Sequence, residues 1–284
     1  NAAILGQALR LQVFRQEFAG TYGGGVFATF QDPAFGSDVF DQSENASTKT
    51  GAKLTLARER IGGTSLSLVY GLDLLRDQTT QRLVQTGRAW VPESTYRNTS
   101  LFAQAEFTGI ERLTVAGGLR HERAQLQVDD FTTLASYNGG QFVAGGKPDF
   151  SETLYNIGAT YQANDRLRLF ANVSEGFSMP DVGRVLRGIN IPDQNVATFL
   201  NLTPIITDNT ELGIEHTTAV TSVQLSYFTS DSDFGQRLQA NSDGIYSVQR
   251  EKMEINGIEL RARWQATGND SFGLSYAHTD GEYD

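Results

Sequence analysis

Residues 167–190 read LRLFANVSEGFSMPDVGRVLRGIN, and this stretch changes character in its middle. From Leu167 to Val173 every second residue is apolar, as expected for a strand with one apolar face. Around Glu175 the alternation stops, and the following segment SEGFSMPDVGR contains two glycines and a proline. The chain therefore leaves the strand ladder here and enters a long polar loop.

The same change recurs along the chain. Tight turns are predicted near residues 60, 110, 165, 219 and 269, about fifty residues apart, and each turn joins two alternating runs. Between successive turns lies one loop of about twenty to thirty residues. About eleven strands are expected, and no Pro/Ser-rich linker interrupts them. Residues 1–284 are therefore predicted to be part of a single domain.

Short turns at one end and long loops at the other are typical of an outer-membrane barrel. Four aromatic residues lie on the apolar phase within about four positions of a tight turn, where an aromatic girdle belongs: Phe107, Tyr161, Trp264 and Phe272. The alternative is that they are core aromatics of a soluble β-sandwich. The sequence predicts an all-β fold, a transmembrane antiparallel up-and-down β-barrel whose polar phase lines the lumen.

Composition and the absence of known motifs argue against several classes of function. The chain has no cysteine, a formal net charge of -10 and a pI near 4.8, which argues against a nucleic-acid partner and against a Cys-ligated metal. His121, His216 and His278 are scattered and show no metal-binding spacing. No GxSxG, GxxxxGK or HExxH motif occurs. We therefore expect no catalytic residues, no metal site and no enzymatic activity.

Several short segments resemble one family. They are YGLDLLRDQTTQ at 70–81, GRAWVPE at 87–93, SEGF at 174–177 with Pro180, TELG at 210–213, SYF at 226–228 with Asp231, NGIE at 256–259, and SY at 275–276 with Thr279 and Asp280. By their order and spacing over about half the chain, the sequence resembles a TonB-dependent outer-membrane receptor of the ferric-siderophore type.

The resemblance implies a barrel of about 22 strands around an N-terminal plug, in the outer membrane of a Gram-negative bacterium. It implies as partners a ferric siderophore, TonB acting through the plug, and outer-membrane lipid. Iron would arrive as a siderophore chelate, so no directly bound cofactor is expected. The chain begins inside strand-like sequence and is expected to be the middle and late part of the barrel, without the plug or the last strands.

An anionic chelate calls for cationic donors and aromatic walls, because arginine offers a fixed fork to oxygen-rich ligands. Loops carry such sites on a rigid scaffold. The predicted ligand-binding loop residues are Arg88, Trp90, Tyr96, Arg97, Tyr137, Phe142, Arg184, Arg187, Arg237 and Tyr246. Each of them could instead be an ordinary solvated side chain.

Two other functions remain open at this point. A period near fifty residues also suits a soluble, kelch-like β-propeller that acts as a repeat binding protein, although a blade needs four strands per period. A passive outer-membrane porin would share the barrel pattern. Receptors for cobalamin, haem or a sugar would share most of the same features.

Overall fold

The computed structural model describes residues 2–4, 6–199, 202–240 and 246–283. In chain order the strands are β1 (Ala2–Ile4), β2 (Gln7–Thr21), β3 (Ser43–Arg58), β4 (Leu66–Leu83), β5 (Ala89–Ile110), β6 (Leu113–Val128), β7 (Phe131–Thr132), β8 (Phe142–Ala144), β9 (Asp149–Asn164), β10 (Leu167–Ser178), β11 (Gln194–Asn195), β12 (Ile205–Thr217), β13 (Thr221–Ser232), β14 (Arg237–Ala240), β15 (Tyr246–Gln249), β16 (Met253–Gln265) and β17 (Ser271–Tyr283). Helix α1 (Val182–Arg187) lies between β10 and β11. Across the described ranges, no helix is long and apolar enough to cross a bilayer.

Twelve of these strands form one antiparallel sheet. Their order is β1-β2-β3-β4-β5-β6-β9-β10-β12-β13-β16-β17, so each strand lies beside the preceding and following long strand of the chain. This up-and-down order confirms the predicted barrel-type topology and differs from the separate four-stranded blades of a propeller. The sheet has one strand more than the roughly eleven that alternation predicts, because the three-residue β1 is too short to show a pattern.

The two faces of the sheet differ in chemistry, as the alternation predicts. Cross-strand partners share a face: Leu212 pairs with Tyr227, and Tyr227 pairs with Ile258. We call this side the apolar face. On the other side, the polar face, Arg168 pairs with Glu215. Helix α1 packs over the polar face, which is therefore the interior side of the curved wall.

The predicted girdle aromatics lie on the apolar face near the tight turns, which we call the turn end of the sheet. Trp264 is the strand partner of Phe272, and the two rings stack with centroids 5.7 Å apart. Phe107 and Tyr161 are also on this face. The four side chains are 40–60% exposed, so the alternative of a buried sandwich core is wrong.

At the opposite end, the loop end, the strands continue further than predicted. Strand β4 runs to Leu83 and β5 begins at Ala89, so that residues 84–88 are the whole connection. Trp90, Tyr96 and Arg97 are therefore strand residues and not loop residues. Strand β10 likewise continues to Ser178. The backbone of polar residues such as QTTQ at 78–81 can form strand hydrogen bonds where neither face of the sheet has to be apolar. A search for alternating apolar residues does not detect such a strand.

Two hydrophobic clusters hold the connections at the loop end together. In the larger one, Val185 and Leu186 of α1 pack with Leu126 and Val128 of β6. The smaller one joins Phe30 to Leu83 at the end of β4 and to Leu134 and Tyr137 of the β7–β8 connection, with Trp90 packed against them. The connections are thereby packed into a fixed cap over the polar face.

A buried carboxylate ties the segment before β3 to the β4–β5 connection. Asp41 is fully buried and accepts hydrogen bonds from Gln85 N at 2.9 Å and Thr86 Oγ1 at 2.5 Å. Arg88 Nη2 lies 3.5 Å from the same carboxylate. Burial raises the pKa of Asp41, but the hydrogen bonds from Thr86, Gln85 and Gln42 outweigh it and leave the pKa below its ordinary value.

The polar face contains four cross-strand pairs of phenylalanine and glycine. They are Phe14 with Gly51, Phe102 with Gly71, Phe170 with Gly213, and Phe228 with Gly257. In each pair the phenyl ring occupies the space that a side chain on the glycine would need. Glycine in a strand often marks such a close approach, and the ring covers backbone that would otherwise face solvent.

We expect Gly71→Ala to destabilise the barrel by about 1–3 kcal/mol, the usual cost of overpacking. A Cβ there would collide with the backbone carbonyl of Leu54, which cannot swing away, and would lie 2.8 Å from the Phe102 ring. The matched control is Gly117→Ala, whose Cβ would meet its nearest atom at 3.4 Å. The thermal midpoint of the folded band on unheated SDS gels of the full-length protein measures the effect, and equal midpoints for the two variants would contradict it.

We expect Asp41→Asn to loosen residues 22–42, because the amide removes the ion pair with Arg88 and leaves buried donors poorly matched, at about 1–3 kcal/mol. Faster chymotryptic cleavage at Phe27 or Phe35 at neutral pH, with the barrel band intact, measures it.

In the wild type, the stabilisation by the Asp41 carboxylate is present above its ordinary pKa of about 3.9 and is lost as the pH falls through the lower folded value. The segment should therefore loosen only in strong acid, and loosening already near pH 6, measured by the near-UV circular dichroism of its aromatic side chains, would argue against this role.

Candidate ligand-binding site

The site begins with α1, which the sequence does not reveal as a helix. Asp181 caps it, and its carboxylate accepts a hydrogen bond from Arg184 N at 3.1 Å. Val185 and Leu186 point into the larger cluster and are nearly fully buried. The helix is therefore fixed on the polar face, and the direction of the Arg187 side chain is set by that packing.

Arg187 meets residues from two other segments. Its guanidinium lies 4.4 Å from the centre of the Trp90 ring, and Nη1 donates to Gln81 Oε1 at 3.1 Å. Burial lowers the pKa of Arg187, and the neighbouring Tyr137 counteracts this in part. Among the described carboxylates none forms an ion pair with Arg187, whereas Asp181 pairs with Arg184 at 3.3 Å. A partly buried cation without a carboxylate partner results.

Three of the ten predicted ligand-binding residues thus come together: Trp90, Tyr137 and Arg187. Tyr137 is 5% exposed and packs in the smaller hydrophobic cluster beside Trp90. Among the described side chains, Trp90 Nε1 and Arg187 Nε are buried without a hydrogen-bond partner. A buried donor without a hydrogen-bond partner lowers the stability of the fold. Two such donors side by side are more typical of a functional site than of a hydrophobic core.

The other predicted residues are spread over the loop end. Arg88 is enclosed by protein partners, since it pairs with Asp32 and Asp41 and donates to Phe30 O at 2.7 Å. Arg184 is half-exposed beside Asp181. Phe142 is 61% exposed at the start of β8. These residues do not converge on Arg187.

The four remaining predicted residues take different positions. Arg237 makes a double hydrogen bond to Glu251, with both distances 2.8 Å. Tyr96 points to the polar face, whereas Arg97 lies on the apolar face as the partner of Arg76. The side chain of Tyr246 lies outside the described residues.

A chamber of about 340 Å³ lies on the polar face below α1. Side chains of β3, β4, β5, β6 and the end of β10 line it, among them Lys49, Asp77, Tyr96, Asn98, Glu122 and Phe177. Of these, only Tyr96 was predicted as a ligand contact. The polar phase of these strands was visible in the sequence, but its closure by the end of β10 depends on tertiary packing.

Charges along the chamber wall are balanced. Lys49 pairs with Asp77 at 3.0 Å, and Arg120 Nη1 lies 2.9 Å from Asp73. Glu122 is 5% exposed and accepts a hydrogen bond from Asn98 at 2.7 Å, besides its contact with Arg120.

Two oxygens of this wall have no hydrogen-bond partner within the described protein. Within the described part of the chain, Asp77 Oδ1 and Asn98 Oδ1 are buried without a hydrogen-bond partner. The chamber therefore offers hydrogen-bond acceptors and aromatic walls rather than net charge.

Another arginine, which the sequence did not single out, holds two loop segments together. Arg250 Nη2 donates to Thr203 O at 2.8 Å and to Phe234 O at 2.7 Å, and the guanidinium lies 4.2 Å from the Phe234 ring. Burial lowers the pKa of Arg250 to about 10. Within the described ranges, no group of three or more His, Asp or Glu side chains is arranged to hold a metal ion.

Curated proteins and solved structures similar to this chain are receptors and transporters by their names. The "Rhizobactin receptor" of Rhizobium meliloti (strain 1021) is 24% identical over 238 residues, which cover 70% of this chain and 31% of that receptor. The "Ferric aerobactin receptor" of Klebsiella pneumoniae is 25% identical over 304 residues, covering 91% of this chain and 39% of the relative. Among solved structures, "Copper transporter OprC" superposes with a TM-score of 0.76 at 17% identity, over 96% of this chain and 44% of the transporter.

The chain therefore spans only about a third to two fifths of the length of these curated relatives. The family model described as "TonB dependent receptor-like, beta-barrel" matches residues 5–284. That match covers eleven of the twelve strands of the sheet, β2 to β17, together with the cap, and the family consists of receptors and not of enzymes. The chain belongs to the TonB-dependent receptor-like β-barrel family.

Proposed function

We propose that the receptor to which this chain contributes binds a ferric siderophore in the outer membrane and imports it in a TonB-dependent manner. The observation that carries this proposal is Arg187, a partly buried cation without a carboxylate partner that is held against the face of Trp90. A site of this kind suits an anionic, oxygen-rich chelate with flat organic parts.

The recognition follows from how the arginine is held. The guanidinium presents a planar fork that matches carboxylate and hydroxamate oxygens, and desolvation strengthens such charge-assisted hydrogen bonds. Stacking on Trp90 fixes the plane of the fork, and the packing of α1 fixes its position. Little ordering is then left to occur on binding, which favours affinity.

The names of the relatives support the same ligand class. Two of them are the "Rhizobactin receptor" and the "Ferric aerobactin receptor", whose matches cover 70% and 91% of this chain. In this proposal iron is cargo that arrives already chelated, so the protein needs no resident metal site. The chamber with Tyr96 and Phe177 would be the next contact of the chelate on its way along the lumen wall.

A passive porin is less well supported. An open pore needs a water-filled entrance, whereas here α1 and two hydrophobic clusters pack across the polar face at the loop end. A capped entrance that must open suits import driven by an external energy source.

We expect Arg187→Gln to weaken binding of ferric aerobactin, used as the probe, by roughly ten- to a hundredfold, because it removes a charged hydrogen bond of about 1.5–3 kcal/mol. Arg187→Lys should restore only part of the affinity, since a point charge lacks the fork. The matched control is Arg166→Gln in a tight turn at the far end of the sheet.

Equilibrium binding of ⁵⁵Fe-labelled siderophore to outer membranes with the full-length receptor measures these affinities. Equal affinity for wild type and Arg187→Gln would remove α1 from the site. Binding of haem, cobalamin or a sugar, with no binding of ferric siderophores, would replace the proposed ligand class.

The energised mechanism makes a separate prediction. Deletion of TonB should abolish uptake of the labelled siderophore into iron-limited cells, while binding to the cell surface stays unchanged, because capture at the loops needs no energy. Continued uptake without TonB would favour the passive porin instead.

A further inference from the structure

Two patches of opposite charge stand on the apolar face at its loop end. The positive patch lies on three neighbouring strands: Arg76 of β4 is the direct strand partner of Arg97 of β5, and Arg123 of β6 is the partner of Thr99, two positions from Arg97. All three arginine side chains are exposed. We call them the arginine edge.

The negative patch lies on β10, β12, β13, β16 and β17. Each of these strands contributes one carboxylate, and the five are successive strand partners: Glu175, Asp208, Asp231, Glu254 and Glu282. We call them the acidic ladder. Strand β9 separates it from the arginine edge, so one wall carries both charges at two different places.

Most of these charges have no counter-charge within the chain. Among the described residues none forms an ion pair or a hydrogen bond with the side chains of the arginine edge. In the acidic ladder, Glu254 lies 2.6 Å from Lys252 Nζ, and Glu175 accepts a hydrogen bond from Tyr155 N at 3.0 Å. The other three carboxylates have no such partner in the described part of the chain: Asp208, Asp231 and Glu282.

Each patch is unfavourable by itself. Arg76 and Arg97 are directly opposite on adjacent strands, and so are Asp208 and Asp231. Like charges in this position repel each other, because neighbouring strands are only about 4.8 Å apart. A surface of the opposite charge would relieve the repulsion in either patch.

The two patches lie at the same height of the wall. Arg76 is ten positions beyond Leu66, where β4 leaves the turn end, and Asp231 is ten positions beyond Thr221, where β13 leaves it. A transmembrane strand takes about nine to eleven residues, so both patches fall where the apolar band ends. Two copies standing upright in one bilayer would therefore present the arginine edge and the acidic ladder to each other at one level.

The apolar surfaces below the patches also differ in shape. Two shallow grooves, of about 550 and 500 Å³, meet at Arg97. Below the acidic ladder the side chains of Leu212, Tyr227 and Ile258 are 53%, 46% and 41% exposed and stand out from the wall. Close packing of such surfaces contributes to association in a bilayer, where the hydrophobic effect between protein surfaces is absent.

We infer that the arginine edge of one copy of this chain docks against the acidic ladder of a second copy, so that the receptors associate side by side in the outer membrane. The contact joins two different patches, and it therefore leaves one patch of each copy free for a further neighbour. Contacts of this kind produce closed rings or open rows. The inference rests on the outer-membrane location proposed above and does not depend on which ligand is imported.

The association should be reversible and sensitive to salt. One exposed ion pair contributes only about 0–1 kcal/mol, so a stable contact requires several pairs acting together. Three arginines facing three unpaired carboxylates meet that requirement. Because salt screens exposed charges, raising the ionic strength should weaken the contact.

The test uses charge inversion in the full-length receptor. One variant combines Arg76→Glu with Arg97→Glu, and the other combines Asp208→Arg with Asp231→Arg. Receptors labelled with a donor or an acceptor fluorophore are reconstituted at low density in phosphatidylcholine vesicles, and energy transfer between copies measures their association. We expect self-association of each variant to fall roughly tenfold relative to wild type, since attraction is replaced by repulsion.

A mixture of the two variants is the decisive sample. The inverted edge of the first variant is acidic and the inverted ladder of the second is basic, so energy transfer between the two variants should return to the wild-type level. The matched control combines Arg58→Glu with Arg166→Glu at the turn end and should associate as wild type does. An unheated SDS gel verifies that every variant is folded.

Three results would overturn the inference. They are wild-type energy transfer no higher than random encounters produce, equal transfer in all variants, and no recovery in the mixture. Association of the wild type only after an anionic lipid is added would likewise show that lipid, and not a second copy, covers the arginine edge. Siderophore binding is measured in the same vesicles, so that its loss with association intact would contradict the proposed function and not this inference.

Discussion

Lateral hydrogen bonding between strands is the constraint on which this structure depends. Each interior strand of the twelve-stranded sheet pairs with a neighbour on both sides, so its backbone N–H and C=O groups are satisfied within the wall. The side chains are then free to differ completely on the two faces. One face can be apolar and the other charged, because neither has to supply partners for the backbone.

Alternation in the sequence was sufficient for the wall but not for the cap. The run from Leu167 to Val173 predicted its strand, its apolar face and the adjoining tight turn, all of which are local features. Helix α1 and the packing of Arg187 on Trp90 depend on segments about a hundred residues apart, and no local pattern records that contact. The continuation of β4 to Leu83 was missed because polar strands show no apolar period.

The cap shows how a small amount of apolar surface can organise a polar end of a barrel. Val185 and Leu186 insert between residues of β6 and the following connections, and the buried Asp41 fastens a second segment through hydrogen bonds. The two arrangements treat their arginines differently: Asp41 pairs with Arg88, whereas the packing of α1 positions Arg187 without a carboxylate partner. Arg187 keeps its charge available because no described carboxylate pairs with it, and Asp181 at the start of the same helix is engaged with Arg184.

The pairs of phenylalanine and glycine on the polar face have a mechanical consequence. Because each ring lies along the wall over its glycine, four large side chains are accommodated without projecting across the lumen. The ring faces also offer no strong hydrogen bond to anything that passes. The polar face therefore alternates between charged side chains and flat apolar patches, and a molecule lying against it would find no strong hydrogen-bond partner at those patches.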